Sequence, residues 1–270
     1  MSSSIFRNPA AVFAAALGAS LLGACGSVTD SYTTPNRFGA ISISARNASA
    51  TQGTALATMV VFEALSVSVP NSALQQSDQC VYASVDTSTT PVRGQFRAGE
   101  SIGMTVGGAS LTLPYSTSLL RYATPDGSPF TYTVGDEAQV TVPGDNDGFP
   151  ASSIGVKLAE PIVPEPVPTP VIGQPLTIRW NGTGDPSAAV ILSLRYANPA
   201  SSTWANEQIY CAVADDGVHD IPSGGMGVLL AGPASLRSLT ITRWRTNEKV
   251  LNDKTLLHIV STIDTTVSVP

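Results

Sequence analysis

This sequence is poor in charge. Of its 270 residues only 13% are Asp, Glu, Lys or Arg, and the formal net charge is −6. A net negative chain without a basic run is a poor reader of nucleic acid, because that affinity rests on neutralising phosphates. Histidine and cysteine are scarcer still, at two and three residues. None of them shows the His-x-x-x-His or Cys-x-x-Cys spacing of a zinc site, so no metal or other cofactor is expected. No Gly-x-Ser-x-Gly elbow supplies an activated serine, and the glycine pairs at 107–108 and 224–225 sit in no phosphate-binding pattern. A 3.6-residue apolar period is not sustained over the length of a helix anywhere. Past the first 24 residues no apolar run approaches the roughly 20 residues that a membrane-spanning helix needs.

What is present begins at the N-terminus. Arg7 supplies a positive start, and 9–22 is almost wholly Ala, Val, Phe, Leu and Gly, a length that suits the apolar core of a signal peptide. It closes on Leu22, Gly23, Ala24 and Cys25, a bulky residue, two small ones and a cysteine. That ending resembles the lipobox of bacterial lipoproteins, which implies cleavage before Cys25 and acylation of its thiol and freed amine. Several acyl chains hold far more durably than one, since each buried methylene adds about 0.8 kcal/mol. A plain secretory signal, or a short membrane span that happens to contain a cysteine, is the alternative. The same resemblance implies an outer-membrane address, because Gly26 and Ser27 lack the Asp that marks inner-membrane retention in many such bacteria. Losing 1–24 removes Arg7 and no acid, so the mature chain is one unit more negative.

The remainder reads as all-β. Ser, Thr, Gly and Val abound, and short apolar or alternating runs are separated by Gly, Pro, Asn and Asp. Strands are expected at 40–45, 56–69, 81–85, 94–97, 102–106, 111–113, 119–123, 130–134, 138–142 and 154–158. Proline at nearly every second position in 161–170 excludes helix and central strand. A polyproline spacer is expected there, with an extended edge segment packed on the second half as the alternative. Beyond it, inward rows are expected at Leu176, Ile178 and Trp180; at Val190, Leu192, Leu194 and Tyr196; at Ile209, Cys211 and Val213; and at Leu239 and Ile241. About seven strands in a hundred residues resemble an immunoglobulin-like sandwich, although the paired cysteines of true immunoglobulin domains are missing from this half. The organisation expected is therefore a signal peptide (1–24), a tether (25–39), an N-terminal β domain (40–160), a linker (161–170) and an immunoglobulin-like domain (171–270). This amounts to two β-sandwich-like domains in tandem.

Candidate chemistry is thin. Asp215, Asp216, His219 and Asp220 suggest a metal or acid–base cluster, but alternation puts His219 on the face of Ile221 and turns Asp220 away. His258 lies among apolar strand residues, and both imidazoles are expected to fill half-buried positions. Asp145, Asn146, Asp147 and Gly148 imitate a calcium loop, yet its later ligand positions fall on the apolar Phe149 and Val156, so a turn is expected. Alternation sets Val81, Ala83 and Val85 inward and Cys80 outward, while Cys211 faces the core of its own domain; a bridge, which an oxidising envelope would permit, would have to cross the domain boundary, and two separate thiols are expected. Trp204 falls in a polar connection. Trp244 is expected to point outward beside Arg243 and Arg245, where an aromatic between guanidinium groups could stack on a sugar or a partner side chain.

The segments with Trp180, Asn181 and Gly182, with Tyr210 and Cys211, and with Asp215, Asp216 and Gly217 also resemble predicted bacterial envelope lipoproteins of no assigned function. The expectation is a lipid-anchored, non-catalytic structural or protein-interaction module facing another envelope protein. A carbohydrate-binding module using Trp204 or Trp244 is the alternative, and an envelope hydrolase the third choice.

Overall fold

The computed structural model of the protein describes residues 37–63, 78–85, 96–146, 148–252 and 254–270. The lipobox and signal peptide lie outside them, as do the strand expectations for 64–69 and 94–95. No helix of the described residues is long and apolar enough to cross a membrane.

The chain is all-β. In the first half the strands are β1 (Arg37–Ala48), β2 (Gln52–Glu63), β3 (Gln79–Ser84), β4 (Ser101–Val106), β5 (Ala109–Ser116), β6 (Arg121–Ala123), β7 (Phe130–Thr133), β8 (Glu137–Val142) and β9 (Ser152–Lys157). The second half has β10 (Leu176–Arg179), β11 (Ala188–Tyr196), β12 (Glu207–Ala214), β13 (Val218–Ile221), the short helix α1 (Met226–Ala231), β14 (Ser238–Asn252) and β15 (Thr255–Ser268). Alternation of small or β-branched residues drives most of them. β2, for example, buries Ala55, Ala57, Met59 and Val61 and half-exposes the residues between.

Thirteen strands join in one mixed sheet, ordered β3-β12-β11-β14-β15-β1-β2-β6-β5-β4-β8-β9, with β7 paired to β2 off that path. β10 and β13 form a separate two-stranded sheet. The strands cover two apolar cores. One gathers Ile41, Ile43, Met59, Ile102, Val140 and Phe149, among others. The other gathers Leu176, Trp180, Leu192, Leu194, Ile209 and Ile241.

The two cores share strands. β15 lies between β14 (antiparallel) and β1 (parallel), and β1–β15 is the one parallel pairing among the described strands. At 14 residues β15 is more than twice as long as an ordinary strand. Its Leu257, Ile259 and Ile263 enter the first core, while Val267 packs on the second. β14 runs the other way, from Leu239 and Ile241 in the second core to Leu251 against the first.

The proline-rich run is the packed edge segment, not a spacer standing clear. Ile162 is buried in the second core, and Val167 packs on it. Glu165 N–H donates to the Arg179 carbonyl and Asn181 N–H to the Val163 carbonyl, so 161–165 lies alongside the end of β10. Proline is tolerated because the segment is an edge.

The expected orientation of β3 is reversed. Val81 and Ala83 are exposed, whereas Cys80 packs against the second core. β3 is the outermost of the described strands at that end of the sheet, burial on its two faces differs little, and the hydrophobic pattern specifies its orientation only weakly.

Because β14 and β15 serve both cores, damage in one should be felt in the other. Leu257→Ala, at a fully buried position of the first core, should cost about 2–5 kcal/mol. Hydrogen exchange should show matching losses of protection in β11 and β12, which flank the second core. A loss confined to the first core would contradict the coupling.

Candidate functional site

The inward row of β14 reads Leu239, Ile241, Arg243, Arg245. Two apolar residues in one core are followed by two guanidinium groups at the point where β14 passes towards the other. Both arginines are buried, at 0% and 2% exposure. Strand parity puts them with Leu239 and Ile241, and therefore on the opposite face from Trp244, which is half-exposed. The expected platform of Trp244 flanked by Arg243 and Arg245 is thus not assembled. The signal was available in the alternation that set Leu239 inward.

Arg243 uses every donor it has. Nε donates to Asp215 Oδ2 at 2.8 Å and Nη2 to Asp215 Oδ1 at 3.1 Å. Nη1 donates to the carbonyls of Glu160 and Pro161, and Nη2 also to that of Asn181. Asp215 is equally committed, accepting in addition from Trp180 Nε1 at 2.8 Å and Thr183 Oγ1 at 2.7 Å. Five donors and about four acceptor sites are all spent within the protein.

Arg245 holds Glu160 with two parallel hydrogen bonds of 2.8 Å and donates through Nη1 to Asp185 Oδ2 and Ser187 Oγ. Lys157 Nζ reaches Glu160 at 2.7 Å and Asp185 at 3.8 Å. Burial pushes the Glu160 carboxyl up, but the hydrogen bonds from Arg245 and Lys157 outweigh it and the net shift is down. Ser187 N–H and Oγ, with Arg245, hold Asp185 well below the usual carboxylate range. Ser261 Oγ, opposite Arg245 on β15, accepts from Ala159 N–H. The seam therefore ties residues 159–161 to β14 and β15 from several sides. Three cations, Arg243, Arg245 and Lys157, face three carboxylates there, Asp215, Glu160 and Asp185.

A second cluster sits at the β3 edge. Cys80 and Cys211, 131 residues apart, face each other across the β3–β12 pair and form a disulfide, with Cα atoms 4.0 Å apart. This corrects the expectation of two separate thiols. That expectation followed from turning Cys80 outward and from treating β3 as confined to the first half, whereas β3 pairs with β12. His219, on the small sheet opposite, places Nε2 3.5 Å from Cys80 Sγ. Cys211 is fully buried, and Cys80 and His219 are half-buried. Spacing motifs miss this trio because three different strands supply it.

The other candidates are dispersed. His219 shares its face with the buried Ile221, as expected, while Asp220 is exposed and accepts from Thr177 Oγ1. His258 is half-buried on the outer face of β15, opposite Glu248; its Nε2 has no hydrogen-bond partner among the described residues, and burial pushes the imidazole down. Trp204 is 48% exposed in the β11–β12 connection. Trp244 pairs with Ala189 near the start of β11, whereas the connection that carries Trp204 leaves from the strand's other end at Tyr196. The acidic turn after β8 folds back on itself, with Asp145 N–H donating to the Phe149 carbonyl and Gly148 N–H to that of Asp145.

Neither a family model, nor a curated protein, nor a solved structure matches this chain.

Removing one partner of the seam should be costly. Arg243→Met strands the Asp215 carboxylate in the interior and should lower stability by about 3–5 kcal/mol in urea unfolding, and adding Asp215→Leu should recover part of the loss.

Acid should loosen the same seam. Glu160 and Asp185 titrate lower folded than unfolded, so the folded chain binds fewer protons. The stability they contribute is full above about pH 4.5, the ordinary Glu value, and drains away as the pH falls. Glu160→Gln should flatten the decline measured between about pH 5 and pH 3. An unchanged slope would place the acid sensitivity elsewhere.

Proposed function

We propose that this chain is a lipid-anchored bacterial envelope protein, held to the outer membrane through Cys25 and acting as a non-catalytic interaction module for another envelope protein. Its two halves are read as β-sandwich-like units in tandem, the second immunoglobulin-like, sharing β14 and β15.

The observation that carries the reading is the outward face of the central sheet. Cross-strand register lines up Leu56, Ser44, Thr262 and Trp244 in one row, and Thr58, Ser42, Val260 and Thr246 in the next. All of them are half-buried. Small hydroxyl side chains interleaved with aliphatic and aromatic ones make a flat surface that a partner can desolvate at little cost. The Cys80–Cys211 disulfide supports an oxidising, extracytoplasmic compartment. The saturated charges of the seam support a scaffold role over a catalytic one.

Two measurements test this. Cys25→Ser should shift the protein from the membrane to the soluble fraction of its host, and mass spectrometry should find the wild-type Cys25 acylated. Val260→Arg, on the outward face, should leave the fold intact by circular dichroism and abolish site-specific crosslinks from Thr262 to its partner. Crosslinks that survive Val260→Arg would remove this face from the reading.

A further inference from the structure

The Cys80, Cys211 and His219 cluster has a geometry that a disulfide alone does not call for. The cysteines belong to the large sheet, and the imidazole approaches from the small sheet packed over it. The three ligand atoms lie within 4.8 Å of one another.

We propose that opening the disulfide converts this corner into a binding site for a zinc-type divalent cation, with Cys80 Sγ, Cys211 Sγ and His219 Nε2 as ligands. Tetrahedral zinc, with bonds of about 2.3 Å to sulfur and about 2.0 Å to nitrogen, sets sulfur and nitrogen about 3.5 Å apart and two sulfurs about 3.8 Å apart. Cys80 Sγ and His219 Nε2 already stand 3.5 Å apart. The sulfurs, once unbonded, need only part to van der Waals contact, and the facing strands place them side by side. Cys80 and His219 are half-buried, so solvent reaches the corner and a water can complete the tetrahedron. Two thiolates and an imidazole select zinc over magnesium or calcium, which prefer oxygen.

The chemistry balances. A dithiol reductant gives two electrons and two protons to the Cys80–Cys211 bond and becomes a disulfide itself, leaving two thiols here. The cation binds both sulfurs as thiolates, the two protons leave to solvent, and His219 binds through its neutral Nε2. Disulfide and metal are thus alternative clasps for the same edge strand: both join β3 to β12, and the metal also ties in β13.

The test uses the full chain carrying Cys25→Ser, which removes the third thiol, reduced without oxygen by a phosphine that does not compete for the metal. The reduced protein should bind one Zn2+ per chain, with a dissociation constant below about 1 µM. With Co2+ it should develop a thiolate-to-metal charge-transfer band. The oxidised protein should do neither, and Mg2+ should not compete. His219→Ala, which leaves the disulfide pair intact, should weaken Zn2+ binding by about tenfold or more. If reduction unfolds the chain, Zn2+ must restore the β-sheet circular dichroism in the parent and not in His219→Ala. Absence of stoichiometric binding after reduction, equal binding by His219→Ala, or failure of Zn2+ to refold an unfolded reduced chain would each overturn the proposal.

Discussion

A pair of charges out of reach of water, Arg243 and Asp215, constrains this fold more than any other contact. Each is fully buried. Desolvating two ions costs several kcal/mol apiece, and their attraction offsets that only if every remaining lone pair and proton finds a partner. Here every one does. The partners come from the first turn of the proline-rich segment, from the loop after β10 and from the strand end at Asp215, so the pair can be satisfied only when all three have arrived. Apolar packing would tolerate small shifts among these pieces, whereas a guanidinium with five directed donors does not. The pair therefore specifies how the segments meet, over and above any net stability it adds.

The rest of the architecture follows from where that constraint sits. Two apolar cores placed end to end would ordinarily need only a flexible connection. In this protein the strands of one continue into the other, and the polar seam marks the crossing. Residues 159–161 leave β9, pass through the seam and run on as an edge segment against the second core. Proline then serves a local purpose, since an edge needs no outward amide donors, and a preset φ reduces the entropy lost in laying the segment down.

Much of this was legible in the residues. Alternation identified the core rows of β10, β11, β12 and the start of β14, because each turns one row of side chains into a deep core. Trp180, Cys211 and His219 fell where parity put them. Legibility failed where burial depends on what lies sideways. β3 ends the sheet among the described strands, and its apolar Val81 faces out. Arg243 and Arg245 occupy core parity, yet their charge suggested a surface; only their distant partners at 160, 185 and 215 make burial affordable. The disulfide was missed for a related reason: register between β3 and β12 is a long-range property that no local period encodes.

The parallel pairing of β1 with β15 also has a temporal side. β1 holds β2 through an adjacent hairpin, but its other flank is filled by β15, which the ribosome makes long after it, Arg37 lying opposite Thr255. Until then the first half presents a bare row of amides and carbonyls, with Leu257, Ile259 and Ile263 missing from its interior. β1 therefore stays incomplete on that flank until β15 has emerged.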